Sequence, residues 1–303
     1  MIIGSNRETV IKNIQRATEK GTLNIKVEVD DPVLTAEQRE NMLKNYLKKR
    51  VTVKYRINKR IARLIANNAS SIINHTTKII GIENVDGITG GAILTSNHFS
   101  QIDNTVVRTF VRKIGKKKLC IVSQETNLAM TGWVGFMLNY ADTIPISSNN
   151  DYMSHQFMSM MKEALDTNNY VLIYPEQEMW FNYRKPRPLK RGAYYYAAFF
   201  NVPIISCFVE IRDLDEVDTQ EFHKIQYTIH ILQPIFPDPA KTVRENSFAM
   251  RIQDYQRKKA AYETAYGKPL DYHFEPNDIA GWISSSDIEE EIGGLQEIYK
   301  ASI

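Results

Sequence analysis

A chain of 303 residues, 43% hydrophobic and 24% charged, with 14 Gly and 11 Pro, is neither disordered, collagenous nor low in complexity, and is long enough for one large α/β domain or two small ones. The 38 Lys and Arg against 35 Asp and Glu average to a formal charge of only +3, so any strong field has to come from how the charges are distributed. The start, Met1-Ile2-Ile3-Gly4-Ser5-Asn6-Arg7-Glu8, lacks the basic-then-apolar order of a secretion signal. The longest charge-poor stretch, 193–209, is interrupted at Asn201 and Pro203, short of the about 20 apolar residues of a spanning helix. Cys120 and Cys207 sit in apolar runs, which predicts buried free thiols in a reducing cytosol and no disulfide framework.

In chain order, apolar spacing predicts a helix over 9–18, a short alternating strand over 23–29 and a break at Asp30-Asp31-Pro32. Residues 35–74 read as two helical segments opened by a capping box, Thr35-Ala36-Glu37-Gln38. Between Asn41 and Arg63 there are nine Lys or Arg and no acid, alternating with Leu43, Tyr46, Leu47, Val51, Val53 and Tyr55. Such a basic amphipathic region fits an anionic bilayer, where each surface Lys or Arg adds about 1 kcal/mol. It fits equally a solvated helix packed on the domain by its apolar stripe, and amphipathicity alone does not separate the two.

From residue 78 on, strands are predicted at 78–82, 92–95, 118–122, 143–146, 170–174, 203–209 and 227–232, and helices at 102–113, 132–140, 151–167, 192–200 and 242–266. This alternation, with several strands continuously apolar, predicts an α/β fold: a single, mostly parallel sheet covered by helices on both faces, preceded by the N-terminal basic amphipathic helical region. The expected organisation is a tail with basic helices over 1–75, an α/β core over 76–240 and a helical extension over 241–303. The last part, 267–303, contains the acidic segment Asp287-Ile288-Glu289-Glu290-Glu291 and reads either as a docked extension or as a loosely held end.

In such a sheet the chemistry lies beyond the carboxyl ends of the strands. Two stretches at such ends carry reactive groups. In Ala92-Ile93-Leu94-Thr95-Ser96-Asn97-His98-Phe99-Ser100-Gln101-Ile102-Asp103, a strand runs into a polar turn holding His98, and a helix starting near Ser100 brings Asp103 into reach of it. A carboxylate on one imidazole nitrogen fixes the tautomer and leaves the other nitrogen to take a proton from an attacking hydroxyl. The same residues also read as a plain cap, with Asp103 at the third helical position and His98 an ordinary loop histidine. In the second stretch, Val171-Leu172-Ile173-Tyr174-Pro175-Glu176-Gln177, a buried strand meets a Pro-fixed turn with a carboxylate. Downstream, Arg184, Lys185, Arg187, Lys190 and Arg191 precede Gly192. A loop with a carboxylate and several cations suits a substrate with hydroxyls and negative charge; it also fits a turn cap among solvated cations.

Asn97-His98 with Asp103 five residues after the histidine, Tyr174-Pro175-Glu176 some seventy residues later, Leu189-Lys190-Arg191-Gly192-Ala193 and Val202-Pro203-Ile204-Ile205 together resemble the 1-acylglycerol-3-phosphate acyltransferase (glycerolipid acyltransferase) family, in order and spacing. The resemblance implies acyl transfer from a thioester of coenzyme A or acyl carrier protein to a lipid hydroxyl, without a covalent enzyme intermediate and with no other cofactor. It assigns His98 as general base, Asp103 as its orienting partner and Glu176 to the acceptor; Gln177, Arg184 and Lys190 are the further candidates for substrate binding. Two family arginines that grip a glycerol phosphate are replaced by Ser148 and Met179, so a glycolipid joins lysophospholipids as a candidate acceptor, with Arg184, Lys185 or Arg187 as possible substitutes.

The absence of a Gly-x-Ser-x-Gly elbow ranks a Ser96 or Ser100 nucleophile well below direct attack. His75, His155, His223, His230 and His273 are scattered, which predicts no metal cluster. The basic region lacks a groove-reading motif, so no nucleic-acid partner is expected. The expected partners are a lipid substrate, an anionic membrane surface and, as one candidate donor, acyl carrier protein; the expected place is cytoplasmic, peripheral on the inner face of the membrane. The competing reading is a non-catalytic lipid- or membrane-binding protein on the same fold, favoured by the lost arginines and opposed by His98 and Asp103.

Overall fold

Caps and apolar spacing place the helices of the N-terminal region. Helix α1 (Arg7–Glu19) buries Val10, Ile11, Ile14 and Ala17 along one stripe. Helix α2 (Ala36–Arg50) opens on the expected capping box, Thr35 accepting from the Gln38 amide while Gln38 reaches back. Helix α3 (Val53–Ile73) is capped by Thr52. The computed structural model describes residues 6–29, 33–116 and 118–283; the break expected at Asp30-Asp31-Pro32 and the acidic segment Asp287-Ile288-Glu289-Glu290-Glu291 lie outside the described residues.

The strands and helices that follow are β1 (Lys78–Ile80), β2 (Ala92–Thr95), α4 (Asn104–Lys113), β3 (Leu119–Gln124), α5 (Gly132–Tyr140), β4 (Thr143–Ile146), α6 (Asn150–Tyr152), α7 (Met158–Asp166), β5 (Tyr170–Ile173), α8 (Gly192–Phe200), β6 (Ile204–Thr219), β7 (Phe222–Ile231) and α9 (Val243–Tyr266). A π turn, Met153–Phe157, joins α6 to α7. The strands form one sheet in the order β1-β7-β6-β2-β5-β3-β4. Among the described residues only β6 and β7 pair antiparallel; the other neighbours run parallel. Strand β2 is buried throughout, as a central strand covered on both faces must be, and the proline of β4, Pro145, sits in an edge strand where a missing N–H is tolerated. One face packs against α2, α7, α8 and α9, the other against α4.

Residues 23–29 and the β6–β7 hairpin differ from the sequence reading. Residues 23–29 form no strand. They make a strap whose carbonyls accept from side chains, Leu23 from Arg187, Ile25 from Trp180 and Val27 from Asn13, and this satisfies the backbone without a ladder. Strand β6 continues ten residues past 209 as a ribbon, exposed beyond Ile211, and pairs with β7, which starts at Phe222, ahead of the expected 227. Its polar residues leave no apolar alternation in the sequence to reveal it.

The strap, α1 and the chain after α9 close over the loop between β5 and α8. Val10, Ile14 and Val27 pack with Trp180, Phe181, Tyr183 and Ile279. Of the open readings for the last part, residues 267–283 are docked: Arg184 N donates to Asp278 O at 2.9 Å and His223 N to Gly281 O at 2.7 Å. Both cysteines are buried free thiols. Among the described residues no helix is long and apolar enough to cross a membrane.

Candidate active site

Strand β2 ends at Thr95 in the middle of the sheet, and the turn after it is pinned from three sides. The Asn97 side chain acts as a substitute strand residue: its amide donates to Val209 O at 3.0 Å and its oxygen accepts from Val209 N at 2.8 Å. The carbonyls of His98 and Phe99 accept from the amides of Trp180 (3.0 Å) and Asn182 (2.9 Å). Phe99 is fully buried in the core under α4. A backbone held this way sets where the side chain between its anchors points.

That side chain is His98, 21% exposed, with Nδ1 2.7 Å from Asp103 Oδ2. The carboxylate accepts, so Nδ1 carries the proton and the lone pair lies on Nε2. Nε2 makes no hydrogen bond among the described residues. Asp103 is buried and does not occupy the third helical position: α4 starts after it, at Asn104. It folds back, accepting from Phe99 N at 3.0 Å and Ser100 N at 3.3 Å through the oxygen that meets His98. Its other oxygen accepts from the Tyr174 hydroxyl at 2.5 Å. Tyr174 also lies flat against the imidazole, ring centroids 4.0 Å apart at 13°. Sequence reasoning gave Tyr174 and Asn97 no role; their positions beside His98 and Glu176 were the available signal.

Glu176 follows Tyr174 through Pro175 and is buried, away from open solvent. One oxygen accepts from Arg187 N at 2.9 Å; the other meets Arg187 Nε at 3.1 Å and Nη2 at 2.9 Å, and lies 3.3 Å from His98 N. The guanidinium is stacked over Trp180 at 4.5 Å. Burial pulls the affinity of Arg187 for its proton down, and the Glu176 charge acts against that. Glu176, the residue expected at the acceptor, thus braces the turn, tying the loop after β5 to the loop after β2. Gln177 adopts φ 70°, a left-handed conformation that glycine takes freely and glutamine does not, and its side chain is exposed at the tip of this turn.

The expected cationic substitutes turn inward. Arg184 is nearly buried, paired with Asp213 and donating to Asn277 Oδ1 at 2.8 Å. Lys185 meets Asp278 Oδ2 at 2.8 Å and His273 O at 2.6 Å. Arg184, expected at the substrate, here fastens the C-terminal segment to the β6 ribbon. Of the four binding candidates, Gln177 and Lys190 are exposed. The Lys190 amide donates to Pro175 O at 2.7 Å, which places it beside the Glu176 turn. Ser148 is exposed and Met179 half-buried where the arginines were expected.

Neither serine near the site is set up as a nucleophile. Ser96 Oγ faces Asn97 Oδ1 at 3.4 Å and Ser100 Oγ accepts from Ile102 N at 3.4 Å; neither bonds His98 among the described residues. Burial pushes the Cys207 thiol up to about 12 and the Cys120 thiol to about 11, so both stay protonated at neutral pH. An imidazole with one nitrogen held by a carboxylate and the other open is an arrangement that can serve as a general base.

Residues 72–210 match the model of a family described as Acyltransferase. Among solved structures the chain is similar to the 1-acyl-sn-glycerophosphate (LPA) acyltransferase PlsC from Thermotoga maritima, at 12% identity and a TM-score of 0.48, over 88% of this chain and 99% of that one. No curated protein matches the chain.

Proposed function

We propose that the chain, whose residues 72–210 match the Acyltransferase family, moves a fatty acyl group from a thioester, of coenzyme A or acyl carrier protein, to a hydroxyl of a lysophospholipid or glycolipid. The observation that carries this reading is the 2.7 Å contact of His98 Nδ1 with Asp103, with Nε2 open at the carboxyl edge of the sheet. In the proposed step, Nε2 takes the acceptor's hydroxyl proton as its oxygen adds to the thioester carbonyl, and the thiolate then leaves as the tetrahedral adduct collapses. The Phe99 and Ser100 amides are committed to Asp103, so the developing oxyanion is met by other donors.

Which charges face outward bears on the acceptor. Arg184, Lys185 and Arg187 are held by Asp213, Asp278 and Glu176, which leaves Lys190 and Arg191 as the exposed cations of the five in this loop. With three of the five cations committed to carboxylates, this supports an acceptor recognised in part by its hydroxyls.

Helix α3 supports work at a lipid surface. It packs on the body through Tyr55, Ala62, Ala66 and Ser70, yet its opposite side also displays apolar side chains: Val53 at 66% exposure, Ile57 at 52% and Leu64 at 63%. Trp133 and Val134 of α5 are exposed as well. Lys54, Arg56 and Arg60 are exposed on the same helix. A helix apolar on both sides and basic in between has the makings of an interfacial element on anionic lipid.

The test is mass spectrometry of lipids after incubating wild type and His98→Ala with a long-chain acyl-CoA, then with acyl carrier protein as donor, against a panel of lysophospholipids and glycolipids. The expected result is an acylated product made by the wild type alone. Product made equally by His98→Ala overturns the mechanism, and no product from either donor shifts the reading to a lipid-binding protein on this fold.

A further inference from the structure

Tyr174, the residue that follows β5, touches both members of the His98–Asp103 pair by different means. Its ring lies parallel to the imidazole, 4.0 Å away, and its hydroxyl donates to the Asp103 oxygen that His98 does not use, at 2.5 Å. The two contacts separate chemically, because phenylalanine would stack on the imidazole equally well and lose only the hydrogen bond. We propose that Tyr174 is a positioning residue for the acyl transfer: its ring holds the imidazole in the orientation that turns Nε2 outward, and its hydroxyl draws on the Asp103 charge so that the imidazole remains a neutral base. The proposal rests on the acyl-transfer reading above.

A carboxylate that accepts a hydrogen bond from a phenol shares its charge with that donor, and less of it is left to stabilise an imidazolium. Removing the hydroxyl therefore makes His98 easier to protonate. Burial, and then the charge of Asp103, hold the phenol of Tyr174 protonated far beyond its ordinary range, so it serves as a donor at every working pH. The other groups facing the pair are Arg108 of α4, Cys207 of β6, Tyr227 of β7 and Glu176 with its partner Arg187. Cys207 and Tyr227 are held neutral by burial, Glu176 is paired with Arg187, and none of these charges changes on loss of one hydroxyl. Tyr174→Phe thus isolates the hydrogen bond, and Tyr174→Leu removes the stack as well.

The experiment measures the pH profile of kcat/KM for acyl transfer and the titration of the His98 imidazole by NMR, for the full chain and both variants. For Tyr174→Phe the acid limb and the imidazole midpoint are both expected to move up by about one pH unit. Tyr174→Leu is expected to lose about a hundredfold in kcat at every pH with KM unchanged. Curves for Tyr174→Phe that superimpose on wild type overturn the proposal. If the wild type transfers no acyl group, the NMR midpoint still reports: a shift upholds the coupling and fails only the acyl-transfer reading, and no shift fails both.

Discussion

Replacing Lys258 by Met tests how the C-terminal helix is built into the site. Lys258 and Asp254, one turn apart on α9, are both fully buried, with Nζ 2.5 Å from Oδ1. Nζ also donates to Thr95 Oγ1 at 2.8 Å and Ser206 Oγ at 3.2 Å. Asp254 in turn accepts from Thr95 at 2.7 Å and from the hydroxyls of Tyr194 and Ser206. The pair therefore ties α9 and α8 to the ends of β2 and β6, directly beneath the turn that carries His98. Methionine keeps most of the volume and leaves Asp254 buried without a cation. Breaking a buried pair from one side costs about 3–5 kcal/mol; the three hydroxyl donors that stay offset part of it, so about 3 kcal/mol is expected. With roughly 2–4 °C of melting midpoint per kcal/mol in a large domain, the midpoint should drop by roughly 6–12 °C. Urea titration and a thermal melt read this directly. Adding Asp254→Asn removes the stranded charge and should recover about half of the loss. A single variant within about 1 kcal/mol of wild type, or a double variant no more stable than the single, would refute the reasoning.

Asp142, buried, meets Arg63 at 2.5 and 2.7 Å and Lys59 at 3.3 Å. Burial alone would raise its carboxyl, but the two cations outweigh that and the net effect is downward. A carboxyl lowered by folding contributes stability that is present above its unfolded value, about pH 4, and is lost as pH falls through the folded one. Arg63→Met should therefore be less stable than wild type at neutral pH, with the gap closing in acid; melts at several pH values check it, and a gap independent of pH contradicts it. For the lipid-facing surface, Ile57→Glu with Leu64→Glu should leave the melting midpoint nearly unchanged, since both side chains are exposed, while flotation with anionic vesicles falls at least tenfold on loss of this much apolar contact. Flotation equal to wild type would remove α3 from the membrane.

Much of the fold was legible because it is written in local terms. Helices α5 and α8 have the bounds that apolar spacing and flanking Gly, Thr and Asn indicated, and Asn201 ends α8 in the left-handed conformation that a polar residue before Pro203 announces. Strands β2, β4 and β5 announce themselves as short apolar runs between polar turns. Where an element is held by something other than burial, the pattern was silent or misleading. The outer half of β6 is polar and paired only across the hairpin, and the alternation at 23–29 is real but its backbone is satisfied by Asn13, Trp180 and Arg187.

By itself, the sequence placed His98 and Asp103 at the carboxyl end of a buried strand, because a turn and the start of a helix leave little freedom over five residues, and only the structure chose between a plain helix cap and the 2.7 Å contact of the pair. Only the tertiary structure decided what the charges downstream do. Arg184, Lys185 and Arg187 look like substrate-binding cations when read along the chain, yet Arg184 and Lys185 find carboxylates in distant segments, Asp213 and Asp278, and Arg187 finds Glu176 across its own loop. Whether a cation faces a ligand or a partner depends on contacts between distant segments, and no local pattern of charge or hydropathy encodes them.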